Sequence, residues 1–137
     1  MYIDIKIEPR YEETDQMGVI YHGNYFTYFE VARTGLLKQL GYSYKLMEEK
    51  GVMLPVIDVA CQYKKPILYD DDIVIRTSID TIKGIRLKFK YEVIRTTTEE
   101  LLALGSTTHA FSDLQLKPIR YKQLDENLRK VFDQLLE

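Results

Sequence analysis

The sequence feature that most constrains the fold is a run of four alternating segments that follows one long helical segment. From Tyr25 to Leu40, apolar residues recur at steps of three and four, which is the spacing of a buried helix face. The later segments alternate apolar and polar residues, a pattern typical of half-buried β-strands. They cover residues 57–63, 73–79, 87–93 and 101–111.

Two further segments complete the pattern. Residues 3–7 alternate and predict a first strand, whereas residues 121–135 keep a helical spacing and predict a last helix. Strands joined by hairpin turns pair antiparallel, and the apolar face of their sheet needs a cover. We therefore predict an α+β fold in which one antiparallel sheet surrounds one central helix. We also predict a single domain over residues 1–137, with the sheet lying against the central helix so that close backbone packing offsets the cost of Gly35.

Composition argues against several classes of protein. The 19 basic and 21 acidic side chains nearly balance, so we expect no nucleic-acid partner. No apolar run approaches the ~20 residues of a membrane helix, and the lone Cys61 suits a reducing compartment. His22 and His109 are far apart and form no metal-ligand motif. These observations predict a cytoplasmic protein with no membrane insertion and no metal site.

The segment between the first strand and the central helix resembles a known signature. TDQMGVIYHGNYFTYFEVART, residues 14–34, resembles the signature of the 4-hydroxybenzoyl-CoA thioesterase family, which has the hotdog fold. CQYKKPILYDDD, residues 61–72, is similar to that family's strand that ends before an acidic turn. The residues that match at the family's spacing are Glu13, Asp15, Gly18, Tyr21, His22, Asn24, Tyr25, Phe29, Glu30 and Arg33.

The resemblance implies an enzyme that hydrolyses acyl-CoA thioesters. It implies a homodimer or homotetramer whose active site lies at the subunit interface, near the start of the central helix. Asp15 matches the catalytic aspartate, which acts as nucleophile or as general base, and both roles stay open here. Relatives often have aspartate where this chain has Glu13, so the resemblance assigns Glu13 no role. His22 resembles the branch that acts on short- or medium-chain substrates, and an aromatic acyl group and an acyl-carrier protein remain alternatives. Coenzyme A is then part of the substrate, and no separate cofactor is expected.

The residues themselves suggest how a thioester would be bound. With Asn24 as the expected N-cap, the helix start offers unpaired backbone N–H groups to an oxyanion. We therefore predict substrate binding by Tyr21, His22, Gly23 and Asn24. His22 either donates to the substrate or satisfies a buried partner. We expect Glu30 and Arg33, three residues apart on the helix, to form an ion pair.

Two other functions use the same residues. A hydratase or dehydratase of acyl thioesters would pair His22 with Asp15 for proton transfer. A non-enzymatic acyl-CoA-binding module would use the same pocket without turnover. We expect hydrolysis, because the signature resembles that of thioesterases.

Overall fold

The computed structural model describes residues 1–137 and contains one five-stranded sheet and three α-helices. All neighbouring strands pair antiparallel in the order β1-β3-β4-β5-β2, which confirms the α+β prediction. No helix is both long and apolar enough to cross a membrane. The elements are β1 (Tyr2–Ile7), α1 (Asn24–Gln39), α2 (Tyr44–Glu49), β2 (Val56–Tyr63), β3 (Ile73–Lys83), β4 (Arg86–Arg95), β5 (Glu100–Ala110) and α3 (Glu126–Leu136).

Helix α1 lies on the inner face of the sheet, and two glycines allow its close approach. The Phe29 ring stacks on Tyr91 with centroids 4.4 Å apart. A Cβ added to Gly105 of β5 would lie 2.3 Å from the Phe29 ring, a distance that no side chain tolerates. A Cβ added to Gly35 would lie 3.2 Å from Ile5 of β1. The sheet therefore lies against Gly35 as predicted, although the contact is made by the Ile5 side chain and not by backbone.

Strand β5 departs from the simple alternation of its sequence. Alternation from Leu102 would place Leu104, Ser106 and Thr108 on the inner face. Instead, Val93 pairs with Ala103 while Ile94 pairs with Leu101, so β5 contains one extra residue at this point. Such a bulge reverses the face of every residue that follows it. Gly105, Thr107 and His109 consequently face α1, opposite buried residues of β4.

A chain of polar side chains crosses this inner face. The Tyr91 hydroxyl lies 2.6 Å from Thr107 Oγ1, which lies 2.8 Å from His109 Nε2, and His109 Nδ1 lies 3.0 Å from the Leu54 carbonyl. Because a carbonyl only accepts, Nδ1 holds the imidazole proton and Nε2 accepts from Thr107. Tyr91, Thr107 and His109 thus all have hydrogen-bond partners when the imidazole is neutral. Burial lowers the pKa of His109 to about 4.

The C-terminal segment forms two pieces, so the prediction of one helix from residue 121 is wrong. Tyr121 lies in a short 3-10 turn, and α3 begins only after Asp125, whose carboxylate accepts from the Leu128 N–H at 3.4 Å. Aspartate is a favoured N-cap, and this cap starts a separate helix. The predicted charge pair between Glu126 and Lys130 is present at 3.7 Å.

Strand β2 forms an open edge of the sheet. It pairs with β5 on one side only, and its backbone groups on the other side have no strand partner. Large apolar side chains of β2 are unusually exposed: Val56 is 50%, Ile57 47% and Val59 42% exposed. An apolar, unpaired edge strand is a surface that a second strand can cover.

We predict that His109 makes stability depend on pH. The unfolded chain has the ordinary histidine pKa of 6.5 and the folded chain about 4, so only the unfolded state gains this proton between those values. The free energy of unfolding should therefore fall as pH is lowered through this window, by on the order of 3 kcal/mol from this residue. Urea unfolding of wild type and His109→Gln at pH 6.5 and pH 4 measures the effect. Equal losses in both proteins would contradict it.

Candidate active site

Asp15 lies in a tight turn between β1 and α1. Its Oδ1 accepts from the Met17 N–H at 2.8 Å and from the Val19 N–H at 3.5 Å, while its own N–H donates to the Val19 carbonyl at 2.8 Å. Gly18 completes the turn with a φ of +80°, a conformation that favours glycine. Asp15 Oδ2 has no hydrogen-bond partner in the protein. One oxygen of the carboxylate thus fixes the turn, and the other is available for chemistry.

Asp15 lines a cavity of about 310 Å³. The cavity lies between two segments that are distant in sequence, the loop before α1 and the connection that follows β2. The two segments are joined by backbone contacts, since the Ile20 N–H donates to the Ile67 carbonyl at 2.9 Å and Val19 forms a bridge with Leu68. The lining residues are Asp15, Met17, Val19, Ile20, His22, Tyr25, Tyr63, Lys64, Lys65 and Pro66.

Tyr63 joins the end of β2 to the start of α1. Its hydroxyl donates to the His22 carbonyl at 3.1 Å, and its ring meets Tyr25 edge-on with centroids 4.8 Å apart. Burial raises the pKa of Tyr63 to about 12, so the hydroxyl keeps the proton that it donates. His22, Tyr25 and Tyr63 therefore form an aromatic wall beside Asp15.

The start of α1 leaves two backbone donors free beside the cavity. The Tyr21 N–H donates to the Glu13 carbonyl at 2.9 Å, and the Asn24 N–H donates to the Tyr21 carbonyl at 3.0 Å. The N–H groups of His22 and Gly23, which lie between them, have no acceptor in the protein. Gly23, not Asn24, is the N-cap, so the cap prediction is wrong by one residue. The helix start nevertheless offers the unpaired donors that an oxyanion needs.

The four residues predicted to bind substrate have different surroundings. His22 lines the cavity. The Asn24 amide donates to the Glu13 carbonyl at 3.0 Å, so it holds the loop. The Tyr21 ring covers Gly23, where an added Cβ would lie 2.7 Å from a ring carbon. Glycine at position 23 thus lets the Tyr21 ring lie against the helix start.

The Glu30–Arg33 ion pair predicted from the sequence is wrong. Arg33 is buried, and its Nε donates to the Tyr44 hydroxyl of α2 at 3.0 Å, whereas Glu30 is exposed. The Arg33 side chain follows the buried face of α1, so it meets α2 and not its neighbour on the solvent face.

A cluster of charges that the sequence did not predict supports the cavity wall formed by Lys65 and Pro66. Arg95 donates to the Pro66 carbonyl at 3.0 Å, to Asp71 Oδ2 at 2.9 Å and to Glu100 Oε1 at 3.0 Å. Lys65, which lines the cavity, pairs with the same Glu100. Hydrogen bonds from Lys65, Thr98 and Arg95 lower the pKa of Glu100 to about 2. The acidic turn after β2 gave a sequence signal for Asp71, but its partner at position 95 gave none.

The cations of β4 do not reach the cavity. Arg86, Lys88 and Lys90 alternate with buried residues and lie on the face of the sheet opposite α1. Lys88 lies 3.8 Å from Asp80 on that outer face. The positive charges beside Asp15 are therefore Lys64 and Lys65.

The chain is similar in sequence to a known superfamily and to bacterial proteins. Residues 9–132 match the model of the thioesterase-like superfamily. The chain is 40% identical over 119 residues to the Bacillus subtilis (strain 168) protein named "Putative acyl-CoA thioesterase YneP", with 86% of each chain covered. It is 32% identical over 113 residues to "Acyl-CoA thioesterase YbgC" of Haemophilus influenzae, with 81% of this chain and 82% of that protein covered.

A solved structure has the same fold. The crystal structure of DHNA-CoA thioesterase from Staphylococcus aureus superposes with a TM-score of 0.90 at 38% identity, covering 98% of this chain and 91% of that one. The predicted hotdog fold is confirmed by this likeness and by the family match.

We predict that Arg95 holds the cavity wall in place. Removing its guanidinium in Arg95→Met leaves the Pro66 carbonyl without its donor and Asp71 without its cation. The Leu68 N–H, which donates to Asp71 Oδ2 at 2.7 Å, should then exchange with solvent about tenfold faster, the effect of losing roughly one hydrogen bond. Amide hydrogen exchange measures this rate. Lys88→Met, which removes an exposed pair on the outer face, serves as the control, and equal rates in both variants would contradict the prediction.

Proposed function

We propose that this chain, which belongs to the thioesterase-like superfamily, hydrolyses the thioester bond of an acyl-CoA to give a free acid and coenzyme A. The observation that supports this most directly is the position of Asp15. Asp15 lines the cavity, its Oδ2 has no hydrogen-bond partner, and two free backbone N–H groups lie at the adjacent helix start. A nucleophile or base and an oxyanion site are the two parts that acyl transfer requires.

In this proposal Asp15 drives the reaction in one of two ways. As nucleophile, its Oδ2 attacks the thioester carbon, the C–S bond breaks, and water then hydrolyses the resulting anhydride. As general base, it takes a proton from a water molecule that attacks the same carbon. Both routes release coenzyme A and need no metal or further cofactor. After a single turnover in ¹⁸O-labelled water, label in Asp15 identifies the nucleophilic route with water attack on the aspartyl carbon, because the general-base route places the label only in the product acid.

The oxyanion of the tetrahedral intermediate would be bound by the N–H groups of His22 and Gly23. They lie at the positive end of the α1 dipole, where negative charge is stabilised. Removing a single oxyanion donor typically costs roughly 100- to 1000-fold in rate. The substitutions that matter here are therefore those that move the loop, since backbone donors cannot be removed by changing a side chain.

The lining of the cavity suits an acyl group of modest size. His22, Tyr25 and Tyr63 present aromatic surface, while Lys64 and Lys65, the latter paired with Glu100, add basic side chains to the lining. Short- to medium-chain and aromatic acyl groups both fit this description, and the Staphylococcus aureus relative is a DHNA-CoA thioesterase. Coenzyme A carries the phosphates that lysines attract. A panel of acyl-CoA and acyl-carrier-protein thioesters ranks these substrates.

We predict that Asp15→Asn abolishes hydrolysis and leaves the fold intact. The amide oxygen of asparagine can still accept from Met17 and Val19, but it is neither a nucleophile nor a base. Asp113→Asn is a matched control, because Asp113 Oδ1 accepts from the Gln115 and Lys117 N–H groups at 2.9 Å in a similar turn elsewhere. Free-thiol release from the acyl-CoA panel measures both variants.

The outcomes of this experiment separate the candidate functions. Loss of activity in Asp15→Asn alone supports the proposal. Full activity in Asp15→Asn removes Asp15 from the mechanism. A wild-type protein that binds acyl-CoA without releasing thiol would instead be a binding module, and hydration of an enoyl-CoA would indicate a hydratase.

We also propose that the chain forms a homodimer or homotetramer through β2. The exposed apolar side chains of β2 and its unpaired edge support this, since a second copy could continue the sheet there. The end of β2 also lines the cavity through Tyr63, so an interface at this edge would lie beside the active site.

We predict that Val59→Glu dissociates the assembly. Val59 is 42% exposed on β2, and a carboxylate buried there between two copies would lose its hydration. Sedimentation velocity should show an oligomer for the wild type and a shift towards monomer for Val59→Glu. Leu116→Glu, at an exposed turn position outside β2, should not change the assembly. A monomeric wild type, or an unchanged oligomer in Val59→Glu, would refute the proposed interface.

A further inference from the structure

We propose that Glu13 is a positioning residue that holds Asp15 and the oxyanion donors in their reactive geometry. This inference rests on the proposed function, because it concerns the same site. It begins from a contrast between two adjacent acids. The Glu12 side chain is 70% exposed and pairs only with Arg10, whereas the Glu13 side chain is 11% exposed. A carboxylate with so little exposure needs hydrogen-bond or charged partners within the protein, whereas a surface acid can be solvated by water.

The Glu13 carboxylate ties the loop to helix α1. Its Oε1 accepts from the Tyr28 hydroxyl at 2.7 Å and from the Arg10 N–H at 2.8 Å, and its Oε2 lies 3.4 Å from Arg10 Nη2. Tyr28 is buried in the first turns of α1, at 3% exposure. The carboxylate therefore joins the start of the loop to a fixed point on the helix.

The backbone of Glu13 holds the other end of the loop. Its carbonyl accepts from the Tyr21 N–H at 2.9 Å and from the Asn24 amide at 3.0 Å. Tyr21 and Asn24 flank His22 and Gly23, whose N–H groups are the proposed oxyanion donors. A single residue thus contacts both sides of the helix start through its carbonyl and a buried helical tyrosine through its side chain.

Asp15 follows Glu13 by two residues and depends on the same anchor. Thr14 forms a bridge with Ile20, and the Asp15 N–H donates to the Val19 carbonyl, so the Asp15 turn is paired with the segment that leads to His22. A shift of Glu13 would move the carboxylate of Asp15 relative to the N–H groups of His22 and Gly23. Misplacement of reacting groups by about 1 Å can cost on the order of 100-fold in rate.

The electrostatics of Glu13 agree with this geometry. Burial by itself raises the pKa of Glu13, but hydrogen bonds from Tyr28 and the Arg10 N–H, with the charge of Arg10, lower it below the ordinary value. The surrounding groups therefore stabilise the ionised form of the Glu13 carboxylate. Glutamine has the same length and keeps one oxygen as acceptor for Tyr28 and Arg10, whereas alanine removes every side-chain contact.

The test compares Glu13→Ala, Glu13→Gln and the neighbouring control Glu12→Ala in steady-state kinetics. Misplaced reacting groups lower kcat and leave substrate affinity largely unchanged. Glu13→Ala should therefore lower kcat about 10- to 100-fold with KM within about threefold of wild type. Glu13→Gln should recover most of this loss, and Glu12→Ala should match wild type. An unchanged kcat in Glu13→Ala, or equal losses in Glu13→Gln and Glu13→Ala, would overturn the proposal.

Two further measurements keep the test independent of folding and of substrate. If Glu13→Ala does not fold, Tyr28→Phe removes only the hydroxyl donor from the same contact and should lower kcat in the same way; an unchanged kcat there would also overturn the proposal. Amide hydrogen exchange at Tyr21 and Val19 needs no substrate. Faster exchange in Glu13→Ala than in Glu12→Ala supports the anchoring role even if the wild type hydrolyses no acyl-CoA, and equal exchange refutes it.

Discussion

The packing of Phe29 against Tyr91 and Gly105 sets the position of α1 on the sheet, and the active-site loop depends on that position. The ring stacks on Tyr91 at 4.4 Å and occupies the space that a Cβ at position 105 would fill. Because interiors are close-packed, a helix held in this way has little freedom to slide. The start of α1, five residues before Phe29, is therefore fixed relative to β5 and β2, and so are the N–H groups of His22 and Gly23.

The cavity exists because two connections meet beside this helix start. One is the loop before α1, and the other is the segment after β2 that contains Lys65 and Pro66. Each is fixed by charged groups, Glu13 on the first side and Arg95 on the second. Neither group lines the cavity, so they support its walls, while Asp15, the acid of the proposed chemistry, lines it and keeps one oxygen without a hydrogen bond.

The parts of the fold that the sequence predicted correctly are those with local causes. The alternation of β3 and β4 and the helical spacing of α1 follow from burial on one face, which is a local periodicity. The sheet was correctly expected to lie against Gly35, because an unexplained glycine in a buried helix indicates close packing. The bulge in β5 had no such signal, since pairing of Val93 with Ala103 depends on the partner strand. The Glu30–Arg33 pair failed for a similar reason, because the partly buried Tyr44 accepts a hydrogen bond from the guanidinium.

By itself, the sequence determined the order of the five strands and the central helix, the buried face of α1, and the signature around Asp15 from which the thioesterase family could be inferred. Only the tertiary structure decided which groups surround Asp15 and what holds them. Tyr63, Lys65 and Pro66 line the cavity although they lie about 50 positions after Asp15 in the chain. Arg95, which supports this wall, lies still farther along. Spacing reports neighbours along the chain, whereas these contacts require the sheet and the helix to be packed first.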